Sequence, residues 1–171
     1  MLHRQLMQKI KKLSPDHSAT ILEIINDAAN AYKGVIPDDR WKEPYMAAKE
    51  LADETQAGVR FYGWFEDGFL LGIAGTQNVS DFDLIRHCYV RTRCQRRGIG
   101  GALLQHLLSF ARNSLILVGT WEDATWAVRF YERHGFMLLS REETNELLQK
   151  YWNIPRRQIE TSVVLRRRLK D

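Results

Sequence analysis

Between Cys88 and Leu104 the chain reads CYVRTRCQRRGIGGALL: the end of an apolar strand, a basic loop, three closely spaced glycines, then helical spacing. A strand that passes through a glycine-rich turn into a helix begins a crossover unit, so the fold must mix strands with helices. Gly98, Gly100 and Gly101 remove side chains where the N–H groups of a helix start can approach a ligand closely. The helix dipole and its unpaired first N–H groups favour an anion there. Arg96 and Arg97 are expected to add charge-assisted bonds to phosphate oxygens. Chemically this is a diphosphate cradle, and the plainer alternative is a tight turn with solvated arginines. It is not a P-loop, because no GxxxxGK[ST] string occurs. A dinucleotide fingerprint also fails, since the third glycine is out of register and residues 113–119 offer no carboxylate.

The rest of the chain fits a mixed α/β reading. Residues 5–13 are expected as a first strand, Asp16–Ala31 as a helix capped by Ser14 or Asp16, and Tyr45–Thr55 as a second helix. Ile21, Leu22, Ile25 and Ala28 form the apolar stripe of the first helix. Val59–Glu66 and Phe69–Asn78 alternate as strands around the turn signal Asp67-Gly68. Asp83–Val90 is a further strand, Ile99–Asn113 a helix, and Leu115–Gly119 a strand apolar enough to be buried on both faces. Ala124–His134 reads as a helix stopped by Gly135. Phe136–Ser140, Glu143–Tyr151 and Ile159–Leu169 follow as strand, helix and strand.

Composition narrows the class. A chain of 171 residues with 44% hydrophobic and 27% charged residues suits one domain, 1–171, with a real core. A net charge of +4 is small for a nucleic-acid face, so nucleic acid is not an expected partner. No apolar run approaches the roughly 18 residues that cross a bilayer, and Met1-Leu2-His3-Arg4-Gln5 is too polar to open a signal peptide. Cys88 and Cys94 form no CxxC, which argues against a zinc site and for a reduced, cytoplasmic setting.

Gln95-Arg96-Arg97-Gly98-Ile99-Gly100 resembles the Q/R-x-x-G-x-G/A signature of the GNAT superfamily of N-acetyltransferases. A second block, Ala127-Val128-Arg129-Phe130-Tyr131-Glu132-Arg133-His134-Gly135-Phe136, resembles that family's A-x-x-F-Y-E-K-x-G-F. The resemblance implies a single-domain acyl-coenzyme A N-acyltransferase fold: a central, mostly antiparallel twisted sheet, splayed at the cofactor strands and flanked by helices. It implies acetyl-coenzyme A as co-substrate without a metal, and direct attack by a primary amine, of a small molecule or a protein, in a ternary complex. Dimers are common in the family, so a homodimer is among the expectations. Other acyl-coenzyme A donors, and a non-catalytic coenzyme A-binding module, are the alternatives.

By the same resemblance, the backbone of Cys88, Tyr89 and Val90 pairs with the pantetheine arm. Gln95, Arg96, Arg97, Gly98, Ile99, Gly100 and Gly101 hold the pyrophosphate, and Ala127 belongs to the cofactor-binding set. Tyr131 matches the family's general acid; a phenol of pKa ~10 stays protonated at neutral pH and can reprotonate a thiolate of pKa ~8.5. A base is also needed, because an amine of pKa ~10.4 is deprotonated only about one part in 10³ at pH 7, equivalent to roughly 4–5 kcal/mol of barrier. The family often carries a glutamate on the strand before the motif, but Leu84–Val90 holds no carboxylate. Asp83, His87 and Glu122 are the candidates. An acetyl-cysteine route through Cys88 is disfavoured, since neighbours on a strand, here His87 and Cys88, point to opposite faces. For the acceptor, Tyr32, Asp38, Asp39, Arg40 and Trp41, together with Glu142, Glu143, Tyr151 and Trp152, offer aromatic walls and carboxylates suited to a cation, or else simply cap the core. The run Arg166-Arg167-Arg168 is expected on a solvated strand edge.

Overall fold

Asp67 and Gly68 both take positive φ, 48° and 85°, as a two-residue hairpin turn of matching twist requires. They join β2 (Arg60–Glu66) to β3 (Phe69–Val79), which pair antiparallel. The computed structural model describes residues 7–170. A seven-stranded, mostly antiparallel sheet has the order β1-β2-β3-β4-β5-β7-β6, where β1 is Gln8–Lys12, β4 Phe82–Val90, β5 Leu115–Trp121, β6 Met137–Leu138 and β7 Ser162–Arg168. The fold is thus the mixed α/β class expected. Residues 5 and 6 of the expected first strand lie outside the described residues. The chain forms two compact units.

The first unit takes the described residues through Ala29, with Pro44–Thr76 and His87–Phe110. Its helices are α1 (Ser18–Ala29), α2 (Ala48–Gln56) and α3 (Ile99–Ser109). Its core gathers Leu13, Ile21, Ile24, Ile25, Leu51, Phe61 and Ile73. The buried stripe of α1 therefore uses Ile24, while Leu22 is only partly covered. A 3-10 turn, Pro15–His17, precedes α1, with Ser14 at its N-cap. The second helix starts later than its composition suggests, because Asn26 claims the backbone before it. Asn26 Oδ1 accepts from Met46 N at 2.9 Å and Asn26 Nδ2 donates to Met46 O at 3.0 Å. Those two bonds engage both backbone groups of Met46 in the bend before the helix.

The second unit takes Asn30–Glu43, Gln77–Arg86 and the chain from Ala111 on. Here β4 runs parallel to β5, with Phe82 opposite Leu115 and Ile85 opposite Val118. Ile116, Leu117 and Val118 are buried, as an all-apolar central strand should be. The helices are α4 (Thr125–Arg133), α5 (Arg141–Tyr151) and α6 (Arg156–Glu160). The short α6 was not expected: Ile159 and Glu160 are helical rather than the start of a strand. β6 is shorter than 136–140, because Phe136 N turns back to Tyr131 O and Ser140 becomes the N-cap of α5. Only the first residue of the arginine run is covered on both sides; Arg167 and Arg168 pair with β5 alone, so the expected edge holds for them and not for Arg166. Arg166 is paired on β7 with Leu117 on one side and Met137 on the other. Its neighbour Arg167 donates from Nη1 to His134 O at 2.6 Å. No helix among the described residues is long and apolar enough to cross a membrane.

Candidate functional site

In the first unit, the strand end, loop and helix start expected as a cradle form one continuous piece of backbone. Arg91 N donates to Leu71 O and its Nε to Leu70 O, both at 2.9 Å, which ties the loop to β3. Its Nη1 is paired with Glu23, and Thr92 N donates to Asp27 Oδ2 at 2.7 Å. Glu23 and Asp27 sit one turn apart on α1 and so share a face. Gln95 Nε2 donates to Val90 O at 3.1 Å, closing the loop on its own strand. Arg96 then takes a positive φ of 62° and Gly98 one of 79°.

Gly98 is the N-cap of α3, where its left-handed conformation comes with no side-chain cap. The first intrahelical bond is Ala102 N to Gly98 O at 3.0 Å, so the N–H groups before it have no partner within the helix. The contrast with α5 is instructive, because there the Ser140 hydroxyl accepts from Glu143 N at 3.2 Å. Gly72 on β3 lets α3 sit close to the sheet: a Cβ there would stand 2.9 Å from Ile99 Cγ2 and 3.2 Å from Leu103 Cδ1. Arg97, expected to meet phosphate, has its Nη2 on both oxygens of Glu66, each at 2.7 Å. That hydrogen-bonded pair pulls the Glu66 carboxyl below its ordinary range and pushes Arg97 above its own. Arg93 and Arg96 have no side-chain partner among the described residues.

Just upstream, His87 adopts a φ of 52° in the middle of β4. Such a value is uncommon for a non-glycine residue and costs of order 1–3 kcal/mol. Its Nε2 lies 2.5 Å from Glu54 Oε2 on α2. The Cys88 sulfur instead faces Gly100 O at 3.9 Å, and burial pushes its thiol up to about 12. His87 and Cys88 thus engage separate partners, and Cys88 is poorly suited to nucleophilic work.

The second unit holds the other candidates. Ala127 lies in the first turn of α4, its N–H bonded to Ala124 O at 2.9 Å. Tyr131 is buried, with ring centroids 5.1 Å from Phe130 and 5.6 Å from Phe136. The helix end explains the F-Y…G-F spacing physically. Gly135 is left-handed with φ 83°, Gly135 N donates to Glu132 O, and Phe136 N donates to Tyr131 O, each at 3.1 Å. This is a Schellman ending, whose accompanying hydrophobic contact is Tyr131 against Phe136. Glu122 is exposed and paired with Arg141 Nη2 at 3.2 Å. Arg141 Nη1 also donates to Ser162 O at 2.8 Å, so the pair fastens the end of β5 beside α5.

Asp83 is buried and accepts three hydrogen bonds from its own chain. Its Oδ1 accepts from Asn78 Nδ2 at 2.6 Å and Asn113 Nδ2 at 2.8 Å, and its Oδ2 accepts from Arg112 N at 2.8 Å. That arrangement is structural, and it ends the helical path of the chain before Asn113. Of the acceptor candidates, Asp39 is held by Arg157 Nε at 2.9 Å, a hydrogen bond that lowers its carboxyl below the usual range. Tyr32 stacks on Trp126 at 5.9 Å between centroids. Tyr151 and Trp152 pack with Leu84, Leu117 and Leu148 in the core of this unit, and Arg86 sits 5.0 Å over the Trp152 ring. The contacts of Glu54, Glu66, Glu23, Asp27 and Gly72 are all made to residues distant in the sequence. Only the carboxylates at 23 and 27, one turn apart, carry a local signal.

The sequence profile of the acetyltransferase (GNAT) family matches residues 20–136, so the chain belongs to that family. Among solved structures, the PaiA N-acetyltransferase of Thermoplasma acidophilum in complex with coenzyme A superposes with a TM-score of 0.71 at 15% identity, covering 95% of this chain and 99% of that one. The ribosomal-protein-S18-alanine N-acetyltransferase of Escherichia coli gives 0.70 at 19% identity, covering 96% of each chain. A GNAT family acetyltransferase of Elizabethkingia anophelis with acetyl-coenzyme A bound gives 0.63 at 20%, covering 95% of this chain and 98% of that one. These likenesses are of fold. A search of curated protein sequences finds no match.

Proposed function

We propose that the protein transfers an acetyl group from acetyl-coenzyme A to a primary amine, by direct attack of that amine while both substrates are bound. One observation carries the reading: in a chain of this family, α3 opens on left-handed Gly98 with no side-chain cap. Free N–H groups, a positive dipole end and glycines at 98, 100 and 101 suit a pyrophosphate. Gln95, Arg96 and the N–H groups of Gly98, Ile99, Gly100 and Gly101 hold that anion, while Arg97 shapes the loop from its hold on Glu66. The backbone of Cys88, Tyr89 and Val90 orients the pantetheine arm, and Ala127 completes the binding set.

Acetyl-coenzyme A, when bound, supplies an activated acyl carbon with a thiolate leaving group. The protein moves the protons. Tyr131 gives its phenolic proton to sulfur, and its ring is held for the task by Phe130 and Phe136. His87 is favoured over Glu122 as base: the imidazole is sheltered and has a fixed partner, whereas Glu122 is an exposed half of an ion pair. The acceptor is an amine of a small molecule or a protein, and the two unpaired cysteines fit a cytoplasmic setting.

Calorimetric titration with acetyl-coenzyme A, free coenzyme A and a longer acyl-coenzyme A tests this reading. Binding of the acetyl form at about micromolar Kd, followed by thiol release on adding amines, is the expected result. Preference for the longer chain moves the donor to another acyl group. Failure of all three to bind overturns the reading.

A further inference from the structure

We infer that Glu54 is a positioning residue for His87, fixing the imidazole tautomer that serves as the base; this rests on His87 being the base in the reading above. The two residues stand on different elements, α2 and β4, yet Glu54 Oε2 and His87 Nε2 are 2.5 Å apart. Neither side chain is freely solvated, His87 being 16% and Glu54 33% exposed. The imidazole lies nearly parallel to two flanking rings, Phe61 at 6.0 Å and 21° and Tyr89 at 6.1 Å and 26°. Those rings restrict its rotation. The positive φ at His87 is a local cost that a merely space-filling residue would not need to bear.

A neutral imidazole has one N–H and one lone pair, and an ionised carboxylate only accepts. The proton therefore sits on Nε2, between ring and carboxylate, and the lone pair on Nδ1. Nδ1 has no hydrogen-bond partner among the described residues. It is the nitrogen left to take a proton. Converting an ammonium group and a thioester into an amide and a thiol releases one proton overall. His87 Nδ1 takes that proton from the ammonium nitrogen before attack and later returns it to solvent. The other proton lost from nitrogen leaves as the C–N bond forms and the C–S bond breaks, and it balances the one delivered to sulfur. While His87 carries the extra proton, Glu54 stands opposite it as counter-charge.

The test joins ¹⁵N spectroscopy of histidine-labelled protein with kinetics, using the amine that releases thiol fastest in the screen above. His87, assigned by comparison with His87→Gln, is expected to carry its proton on Nε2 in the unsubstituted protein. Glu54→Gln, which both donates and accepts, is expected to give mixed tautomers and to lower kcat by about tenfold or more, with KM for acetyl-coenzyme A unchanged. His87→Gln lowers kcat by about 10²-fold or more. Adding Glu54→Gln to it changes kcat by less than about twofold, because the two act as one unit. If His87→Gln loses turnover while Glu54→Gln keeps both turnover and tautomer, Glu54 has no positioning role and the base reading stands. If His87→Gln turns over normally, the base reading falls and this inference with it. A proton on Nδ1 in the unsubstituted protein overturns the inference whatever the variants do, including a Glu54→Gln that fails to fold.

Discussion

Replacing Asp83 by asparagine separates a structural carboxylate from a catalytic one. The side chain is 3% exposed and accepts three hydrogen bonds: two from the amides of Asn78 and Asn113 to one oxygen, one from Arg112 N to the other. Asparagine keeps the shape but turns one acceptor into a donor. If its oxygen stays between the two amides, its NH₂ faces Arg112 N–H; if it flips, it faces two donors instead. At least one buried donor loses its acceptor in either case. A hydrogen bond to a charged group contributes about 1.5–3 kcal/mol, and those that survive weaken to about 1 kcal/mol each. The net expectation is a loss of about 2–4 kcal/mol. For a chain of this length that lowers Tm by about 5–12 °C. Urea unfolding checks it, with the midpoint falling and the slope unchanged. Turnover per folded molecule stays within about twofold, since the carboxylate is buried and turned toward three donors of its own chain. A stability loss below about 0.5 kcal/mol refutes the account of the buried network. Intact stability with turnover down about tenfold would return Asp83 to the candidate bases.

Tyr131→Phe removes only the hydroxyl of a ring already packed between Phe130 and Phe136. Steady-state kinetics should show kcat down about 10²-fold, with calorimetric affinity for acetyl-coenzyme A unchanged; equal loss of both would mark a packing role. Gly98→Ala meets no neighbouring atom but forces an L residue to φ 79°, at about 1–2 kcal/mol. Its unfolding midpoint should fall modestly and coenzyme affinity with it; a neutral result in both contradicts the left-handed turn. Gly72→Ala places a methyl group 2.9 Å from Ile99 Cγ2, and over-packing of this kind costs about 1–3 kcal/mol, to be read by chemical unfolding. The Cys88 thiol, raised to about 12 by burial, should resist alkylation at pH 8 in the native protein and react readily in denaturant. Its unfolded counterpart ionises first, near pKa ~8.5. The stability from this group is therefore full below that pH and falls as pH rises toward about 12.

What could be read from the sequence was whatever one local stretch determines. Asp67-Gly68 specifies its hairpin because only residues tolerant of positive φ make that turn. Gly135 specifies the end of α4 because the Schellman bonds join residues within one turn. The apolar run at Leu115 specifies a central strand because both faces are buried. The failures came where a distant group competes for the backbone. Asn26 engages the backbone of Met46 ahead of α2, and Asp83 captures Arg112 N where the helical spacing continues. Periodicity carries no trace of either partner. The expected strand edge holds for Arg167 and Arg168 but fails at Arg166 for a related reason, since strand order is a property of the sheet and β6 reaches β7 only through Met137 and Leu138, opposite Arg166 and Leu165.

The same distinction governs the arginines. Counted along the chain, Arg91, Arg93, Arg96 and Arg97 look equivalent, and any of them could serve an anion. Their partners separate them. Glu23 and the Leu70 carbonyl claim Arg91, and Glu66 claims Arg97, from 68, 21 and 31 residues away respectively. Each guanidinium so held fixes one end of the loop: Arg91 where β4 ends, Arg97 where α3 begins. Arg93 and Arg96 lie between those anchors with no side-chain partner among the described residues. A ligand phosphate gains most from cations that need not abandon a carboxylate to reach it, because breaking an ion pair offsets the new contact. Loss of Arg96 should therefore weaken coenzyme binding directly and steepen little else. Loss of Arg97 should loosen the loop and leave Glu66 as an unpaired negative charge near the helix start. Neutralising Glu66 along with Arg97 should then recover part of the affinity, whereas no partner substitution should rescue Arg96→Ala. Calorimetry on Arg96→Ala, Arg97→Ala and the Arg97→Ala/Glu66→Gln double variant checks the ordering, and equal, unrescued losses from both arginines would refute it.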